Sequence, residues 1–223
     1  MTEQQANKAA RPGAGSIGSE TIGSYLARLA SRQPTPGGGA AAALHAAQGA
    51  ALVAMVARYT TGPKYGEHAA LVERTTKVAD ELASEALRLA DSDEQVFQAV
   101  IDAYRLPADT EELKAARTSA IQAALVQAAQ TPAQLVKLAG AVVDLATGLA
   151  DVANPNVISD VAAAADAARA AATTARVNID INVVAIRDQS ARSLLKEQTD
   201  GIEEKVVAAA DALVARVRER ILQ

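Results

Sequence analysis

The sequence predicts an all-α protein, an antiparallel bundle of about six or seven helices. Half of the 223 residues are hydrophobic, only 2% are aromatic, and much of the apolar fraction is alanine. Alanine is the strongest helix former and lets helices approach closely, whereas strands favour β-branched and aromatic residues. Apolar residues recur at helical spacing between short glycine- and proline-containing segments, which indicates helices joined by short loops.

Three helices are predicted in the first half of the chain. Ser19 is a good N-cap for the first, which extends to about residue 32. The second, residues 39–59, is apolar or small nearly all round, which is typical of a central buried helix, and a Gly-Pro pair ends it. The third, residues 67–105, is one very long helix or two collinear ones, ended by a Leu-Pro pair.

A helix boundary is predicted in the middle of the second half. Residues 109–112 have the Asp-x-x-Glu form of a capping box, which opens a helix to about residue 130. Thr131 and Pro132 then match an N-cap followed by a first-turn proline. A separate helix is therefore predicted over residues 131–151.

The final two predicted helices follow an Asn-Pro-Asn breaker. Asn156 or Ser159 caps a helix over residues 160–187. The last segment, residues 190–222, is amphipathic, and Gly201 is a candidate bend within it.

Composition excludes several classes of protein and site. The absence of cysteine excludes disulfides, thiolate metal sites and a thiol nucleophile, and fits a reducing cytosol. A net charge of −4 without a basic block argues against nucleic-acid binding. Residues 1–18 lack a signal-peptide apolar stretch and are predicted to be a disordered lead-in to a single domain, residues 19–223. Residues 40–57 come closest to a membrane span but carry His45 and Gln48, so we expect a soluble, cytoplasmic protein that binds no membrane.

Three consecutive glycines, Gly37, Gly38 and Gly39, precede the second helix. The first N–H groups of a helix lack intrahelical partners, and the helix dipole makes that end positive. Bare glycine backbone there can receive an anion, a carbonyl or a neighbouring helix, so ligand binding and close packing both remain open. The glycines form neither a Walker A loop nor a dinucleotide fingerprint, because no Gly-Lys-Ser/Thr follows them and no strand precedes them.

Asp93 interrupts an apolar stripe. At 100° per residue it falls among Leu89, Val96 and Val100, whereas Asp91 points almost the opposite way and needs no special explanation. A carboxylate on an inward face loses solvation unless it is paired or functional. Asp93 is therefore either a catalytic candidate or a buried carboxylate hydrogen-bonded to a neighbouring helix end or amide.

A polar row follows one line of the penultimate predicted helix, formed by Asp160, Asn178 and Asn182. Asparagine offers two donors and an acceptor, which suit either a heterocyclic ring with amide-like edges or a cross-link between helices. Lys64 lies in a Gly-Pro-Lys-Tyr-Gly turn, where it can meet an anionic ligand or stay solvated. The two histidines belong to no ligand-spaced cluster, so no metal site is predicted.

Six ordered segments resemble the cyclodeaminase/cyclohydrolase family of folate enzymes. They are Pro-Thr-Pro-Gly-Gly-Gly-Ala (34–40), Thr-Gly-Pro-Lys-Tyr (61–65), Asp-Ser-Asp-Glu-Gln-Val-Phe (91–97), Arg-Leu-Pro (105–107), Ser-Asp (159–160) and Asn-Ile-Asp-Ile-Asn (178–182). The resemblance extends from about residue 20 to the end of the chain. The family is known as stand-alone bacterial proteins and as one domain of formiminotransferase-cyclodeaminase.

The resemblance implies an all-helical, homodimeric fold and one of two reactions. A cyclohydrolase adds water to 5,10-methenyltetrahydrofolate to give 10-formyltetrahydrofolate; a cyclodeaminase closes 5-formiminotetrahydrofolate to the methenyl compound and releases ammonia. Both pass through a tetrahedral carbon between two nitrogens and need a proton-transfer group, so we expect no metal and no cofactor beside the folate substrate. We expect a cyclohydrolase, because no formiminotransferase partner lies within the chain. The alternatives are a cyclodeaminase or a non-catalytic folate-binding or helical interaction protein.

The resemblance also implies roles for individual residues. Asp93 is the implied acid/base catalyst. The implied substrate-binding residues are Gly37, Gly38, Gly39, Lys64, Asp160, Asn178 and Asn182. Of these, the aspartate and the two asparagines would hold the pterin edge, the lysine would hold the glutamate tail, and the glycines would let the substrate reach the helix start. Ala40 stands where the family usually has serine, which removes a hydroxyl beside the glycines.

Overall fold

The computed structural model describes residues 16–223, and the regular structure in that part of the chain is entirely helical. The α-helices are α1 (Ile22–Leu29), α2 (Gly38–Tyr59), α3 (Ala69–Tyr104), α4 (Glu111–Leu149), α5 (Ile158–Ala185), α6 (Gln189–Thr199) and α7 (Ile202–Leu222). Short 3-10 helices occupy Ile17–Ser19, Pro63–His68 and Pro155–Val157. The predicted all-α class is confirmed.

The central helix of the bundle is α2, which packs against α3, α4 and α5. Its buried face consists largely of alanines that are fully shielded from solvent, among them Ala40, Ala42, Ala43, Ala46 and Ala50. Small side chains let the helix backbones come close, since a Cβ on Gly49 would lie 3.0 Å from the Ala164 carbonyl oxygen of α5. By length and composition α2 could cross a membrane, but 61% of its apolar window is buried inside the bundle.

Helices α2 and α5 run antiparallel, which gives the bundle two distinct ends. At the C-terminal end of α2, the buried Thr60 hydroxyl donates to the Val56 carbonyl at 2.7 Å and accepts the Asn154 N–H at 3.0 Å, just before α5. At the N-terminal end, a Cβ on Gly38 would lie 3.9 Å from Asn178 Nδ2, near the end of α5.

The predicted boundary at Thr131-Pro132 is wrong, because α4 continues through it from Glu111 to Leu149. Thr131 caps no helix; its hydroxyl lies 3.2 Å from that of Ser92 on α3. Both Thr131 and Pro132 are buried. A proline inside a helix costs about 3 kcal/mol, and the burial of α4 against α3 and α5 outweighs that local cost here.

Two predicted N-caps are each displaced to a neighbouring threonine. Thr21 caps α1 instead of Ser19, which belongs to the preceding 3-10 helix. Thr110 caps α4 instead of Asp109. In both helices the threonine hydroxyl accepts the backbone N–H three residues later, which is the bond that the predicted cap was expected to make.

The bounds of the remaining helices agree with the prediction more closely than their caps do. The third predicted helix is a single continuous helix, α3. Neither Asn156 nor Ser159 caps α5, which is entered through a 3-10 helix capped by Asn154. The candidate bend at Gly201 is a break between α6 and α7, where Gly201 has a φ of 73° that glycine adopts without strain.

The predicted lead-in, residues 1–18, lies largely outside the described residues, of which the first is residue 16. Within the described part, Ile17 is buried and its N–H donates to Asp91 Oδ1 at 2.7 Å. Asp91 therefore has a hydrogen-bond partner, although the helical pattern predicted no specific contact for it. This bond fastens the start of the described chain to α3.

Replacing Thr60 with valine should lower the free energy of unfolding by about 1–3 kcal/mol, because the partly buried Asn154 N–H loses its acceptor. Urea denaturation followed by circular dichroism measures the change. Thr60→Ser is the matched control, since it keeps the hydroxyl and loses only a methyl group. A Thr60→Val variant as stable as wild type would show that this hydrogen bond does not hold α2 to the turn before α5.

Candidate active site

The Asp93 carboxylate lies directly on the first turn of α2. Gly37, the N-cap residue of α2, has no side chain to satisfy the helix's first N–H groups, and the Asp93 carboxylate of α3 lies close enough to the Ala40 N–H for that group to lower its pKa. A Cβ on Gly39 would lie 2.6 Å from Asp93 Oδ2 and still closer to Oδ1, so only glycine leaves room for the carboxylate. The glycine segment thus admits a carboxylate of the protein itself beside the uncapped start of α2.

Opposing influences act on the pKa of Asp93. Burial raises it above the ordinary value of 3.8, the hydrogen bond from the Ala40 N–H lowers it, and the neighbouring Glu94 carboxylate raises it. Burial is the largest of these influences, so the pKa is raised overall. The positive end of the α2 dipole favours the ionised form in the same way as the Ala40 N–H does.

Asp93 faces a cavity of about 210 Å³ between α3, α4 and α5. Asn178 and Asn182 of α5 line the same cavity, together with Phe97 of α3 and Pro132 of α4. A neighbouring cavity of about 410 Å³ shares Asn178 and reaches Gly38. Asn178 therefore lies between the cavity beside Asp93 and the space beside the start of α2.

The two asparagine side chains are oriented by their own helix. Asn178 Nδ2 donates to the Thr174 carbonyl at 3.0 Å, and Asn182 Nδ2 donates to the Asn178 carbonyl at 2.9 Å. The hydrogen bonds of the described residues do not use either amide to join two helices. Each side chain keeps its Oδ1 and one N–H free for a ligand.

The structure of a single chain does not bring Lys64 and Asp160 to this cavity. Asp160 lies in the first turn of α5, 18 residues before Asn178, which at 1.5 Å per residue is about 27 Å. Lys64 is exposed beyond the opposite end of α2 from the glycines, with its Nζ 4.6 Å from the centre of the Tyr65 ring. Both therefore belong to the other end of the bundle, where Tyr65 lines a larger cavity of about 690 Å³.

Phe97 and Pro132 are lining residues that the sequence analysis did not propose. Phe97 is the only phenylalanine of the chain and follows Asp93 by four residues, so helical spacing places it on the same face. Its spacing from Asp93 could therefore have identified Phe97 from the sequence. The sequence gives no such signal for Pro132, because Thr131-Pro132 matches a helix start.

Helix α1 is fastened beside Asp93 by ion pairs. Arg28 of α1 contacts Glu94 at 2.9 Å and Glu20 at 2.8 Å. Tyr25 of α1 is buried close enough to the Glu94 and Asp93 charges for both to raise its pKa, after the larger effect of burial. These contacts keep α1 beside the Asp93 turn of α3.

No group of three or more potential metal-ligating carboxylates and imidazoles occurs in residues 16–223. His45 is exposed on α2. The polar side chains at the cavity therefore consist of one carboxylate and two amides, which suit hydrogen bonding and proton transfer.

Gly39→Ala should lower the free energy of unfolding by about 1–3 kcal/mol, because the added methyl group overlaps the Asp93 carboxylate and forces it away from the first turn of α2. Gly38→Ala is the matched control. Its Cβ would meet Asn178 and Thr174 only at 3.9 Å, and alanine is favoured over glycine by about 1 kcal/mol within helices. Urea denaturation of the two variants should place them on opposite sides of wild type, and equal stabilities would rule out the close contact.

Comparisons with known proteins agree with this fold. The family model for formiminotransferase-cyclodeaminase matches residues 21–201. Methenyltetrahydrofolate cyclohydrolase of Methylorubrum extorquens is 39% identical over 206 residues, which cover 92% of this chain and 97% of that protein. Formimidoyltransferase-cyclodeaminase of Sus scrofa is 29% identical over 197 residues, and the chain spans only 36% of its length.

A solved structure shares the architecture as well. The crystal structure of formiminotetrahydrofolate cyclodeaminase from Thermotoga maritima superposes with a TM-score of 0.82 at 27% sequence identity, and the match covers 93% of this chain and all of the other. The family resemblance inferred from the sequence motifs is confirmed. From the match over most of its length, the chain belongs to the formiminotransferase-cyclodeaminase family.

Proposed function

We propose that this chain hydrolyses 5,10-methenyltetrahydrofolate to 10-formyltetrahydrofolate, with Asp93 as the acid/base catalyst. The observation that carries the proposal is the Asp93 carboxylate, which is held at the start of α2 and faces a cavity shared with two amides. The likeness to a protein named methenyltetrahydrofolate cyclohydrolase, over nearly the full length of both chains, supports this reaction. The reaction consumes water and requires only proton transfer from the protein, so we propose no cofactor. We also propose a cytoplasmic location.

The cavity suits the charge of this substrate. The bridge between N5 and N10 of the methenyl compound is a cation, and the 10-formyl product no longer carries that charge. Asp93 supplies a carboxylate and the two asparagines supply Oδ1 acceptors, while no basic side chain lines the cavity. An acceptor-rich, partly desolvated site favours the cationic substrate over the neutral product.

The proposed reaction uses one carboxylate twice. A water oxygen attacks the methenyl carbon while the Asp93 carboxylate takes one proton from that water, which leaves a neutral tetrahedral carbon that bears a hydroxyl group. The bond from this carbon to N5 then breaks, and the protonated Asp93 returns its proton to N5. The hydroxyl proton leaves to solvent as the formyl carbonyl forms on N10. Substrate and water thus give product and one released proton.

The surroundings of Asp93 suit both steps. Burial raises its pKa, which makes the carboxylate a stronger base than a solvated aspartate and its acid form a usable donor at N5. The Ala40 N–H and the cationic substrate both favour the ionised form needed at the start. The residue is therefore prepared to change protonation within one catalytic cycle.

Formiminotetrahydrofolate cyclodeamination is the second candidate. This reaction is favoured by the Thermotoga maritima structure, which shares the fold and is named for that activity. In that direction a protonated Asp93 would assist the departure of ammonia. Incubation with each folate separates the two reactions: hydrolysis removes the methenyl absorbance, and cyclodeamination creates it from the formimino compound.

Asp93→Asn should lower kcat/KM for methenyl hydrolysis by about 10²–10⁴-fold, because the amide cannot accept the water proton. Loss of methenyl absorbance under steady-state conditions measures this. For wild type, kcat/KM should fall as the pH drops through a pKa above 3.8, since the base is the ionised carboxylate and its pKa is raised.

Asp91→Asn is the control for this substitution, because Asp91 lies on the same helix and its bond to the Ile17 N–H can be kept by the amide oxygen. We expect it to retain wild-type kcat/KM. Unchanged turnover in Asp93→Asn would exclude the proposed mechanism, and a wild-type protein that binds no reduced folate would exclude the enzyme itself.

We also propose that the protein is a homodimer. Large apolar side chains stay exposed at the two cavities, namely Phe97, Val177 and Ile181, and Val184 continues the same exposed face of α5. Apolar surface of this kind at a site typically marks an interface. A dimer would also offer the glutamate tail a lysine from a second chain, since Lys64 of the same chain lies at the far end of the bundle.

Light scattering after size exclusion should give twice the chain mass of 22.9 kDa. Val184→Glu should shift the protein toward monomer, because it places a charge in the exposed apolar set. Ala163→Glu, at an exposed position near the other end of α5, is the control and should leave the dimer intact. A wild-type monomer at micromolar concentration would refute the dimer.

A further inference from the structure

Pro132 lies in the middle of α4 on the side that faces the Asp93 cavity. Proline has no backbone N–H, so the carbonyl of Ala128, four residues earlier, lacks its usual helical partner. The proline ring also pushes that carbonyl away from the helix axis. The result is a backbone acceptor without an intrahelical i+4 hydrogen bond.

The released carbonyl belongs to a residue of the cavity wall. Leu125, Ala128 and Pro132 are spaced as one helical face, and all three line the cavity. A helical carbonyl points along the axis toward the backbone nitrogen four residues later, so the Ala128 oxygen is directed toward the ring of Pro132 on the same face. The contact of 3.2 Å between the Ser92 and Thr131 hydroxyls fastens this turn of α4 beside the Asp93 turn of α3.

The chemistry of the wall indicates what this carbonyl binds. Ala128 is almost fully buried, at 7% exposure, so its carbonyl has little access to water. The other polar groups on the wall are the Asp93 carboxylate, which is also an acceptor, and the amides of Asn178 and Asn182, each of which keeps an acceptor oxygen and one N–H. A buried acceptor that lacks its helical i+4 donor favours a ligand that brings an N–H.

We propose that the Ala128 carbonyl accepts a hydrogen bond from an N–H of the pteridine ring, and that Pro132 is the residue that makes the carbonyl available. This inference rests on the proposed folate function and deepens it. Ala128 then binds the ligand through its backbone carbonyl. Pro132 is a positioning residue, because it removes the helical N–H that would otherwise bind this carbonyl. The sequence change that would abolish the site is one that restores an N–H at position 132.

Pro132→Ala tests the proposal because alanine returns that N–H and closes the hydrogen bond to Ala128. The matched control replaces Pro132 with lactic acid, which carries the same methyl side chain on an ester oxygen and has no N–H. The probe is 5-formyltetrahydrofolate, a stable reduced folate, and the readout is its Kd by titration calorimetry. We expect Pro132→Ala to bind about fivefold or more weakly than the lactic acid variant, which is the usual effect of one neutral hydrogen bond.

Thermal unfolding distinguishes this role from a structural one. Restored helical hydrogen bonding should leave the Tm of Pro132→Ala equal to or above that of the lactic acid variant, so affinity and stability should move in opposite directions. Equal Kd values for the two variants would overturn the proposal.

A measurement on the wild-type protein keeps the test decisive even if neither variant folds. The ¹³C chemical shift of the Ala128 carbonyl should change when 5-formyltetrahydrofolate is added, and that of Ala124, whose partner is the Ala128 N–H, should change less. Binding without a selective change at Ala128 would overturn the inference while the folate function stands. No binding of the folate to wild type would overturn the proposed function itself.

Discussion

The contact between Asp93 and the first turn of α2 is the constraint on which the rest of the site depends. The glycine at position 39 leaves the space, the Ala40 N–H lowers the pKa of the carboxylate, and the carboxylate lies at a helix start that has no side-chain cap. A carboxylate placed at a helix end and the acid/base catalyst that we propose are therefore compatible with a single arrangement. The interaction that stabilises the helix start also holds the carboxylate against the cavity.

Alanine-rich packing makes this arrangement possible. The buried alanines of α2 and α5 let the helix backbones come close, so polar groups from several helices can converge on a small volume. Within that volume each amide donates one N–H along its own helix and presents its oxygen. The cavity is consequently rich in acceptors, which agrees with a substrate whose one-carbon bridge is cationic.

Pro132 shows why local signals can mislead at such a site. Thr131-Pro132 has the form of a helix start, and in an isolated peptide the proline would favour one. In the folded chain both residues are buried between helices, and tertiary packing keeps α4 continuous through them. The energetic conflict between local preference and global fold is located at the cavity, and functional sites are where such conflicts are expected.

The sequence by itself determined the all-α class, most helix positions and the abnormal placement of Asp93, because helical periodicity and strong breakers act over a few residues. It also identified the family, since six segments occur in the family's order. Only the tertiary structure decided that Gly39 leaves room for the Asp93 carboxylate and that α4 is a single helix. It also decided that Lys64 and Asp160 lie at the opposite end of the bundle from Asn178. Helical rotation shows which residues share a face, but it does not show which helix covers that face. That choice depends on contacts between residues far apart in the chain, such as Asp93 with Ala40, and these form only when the bundle packs.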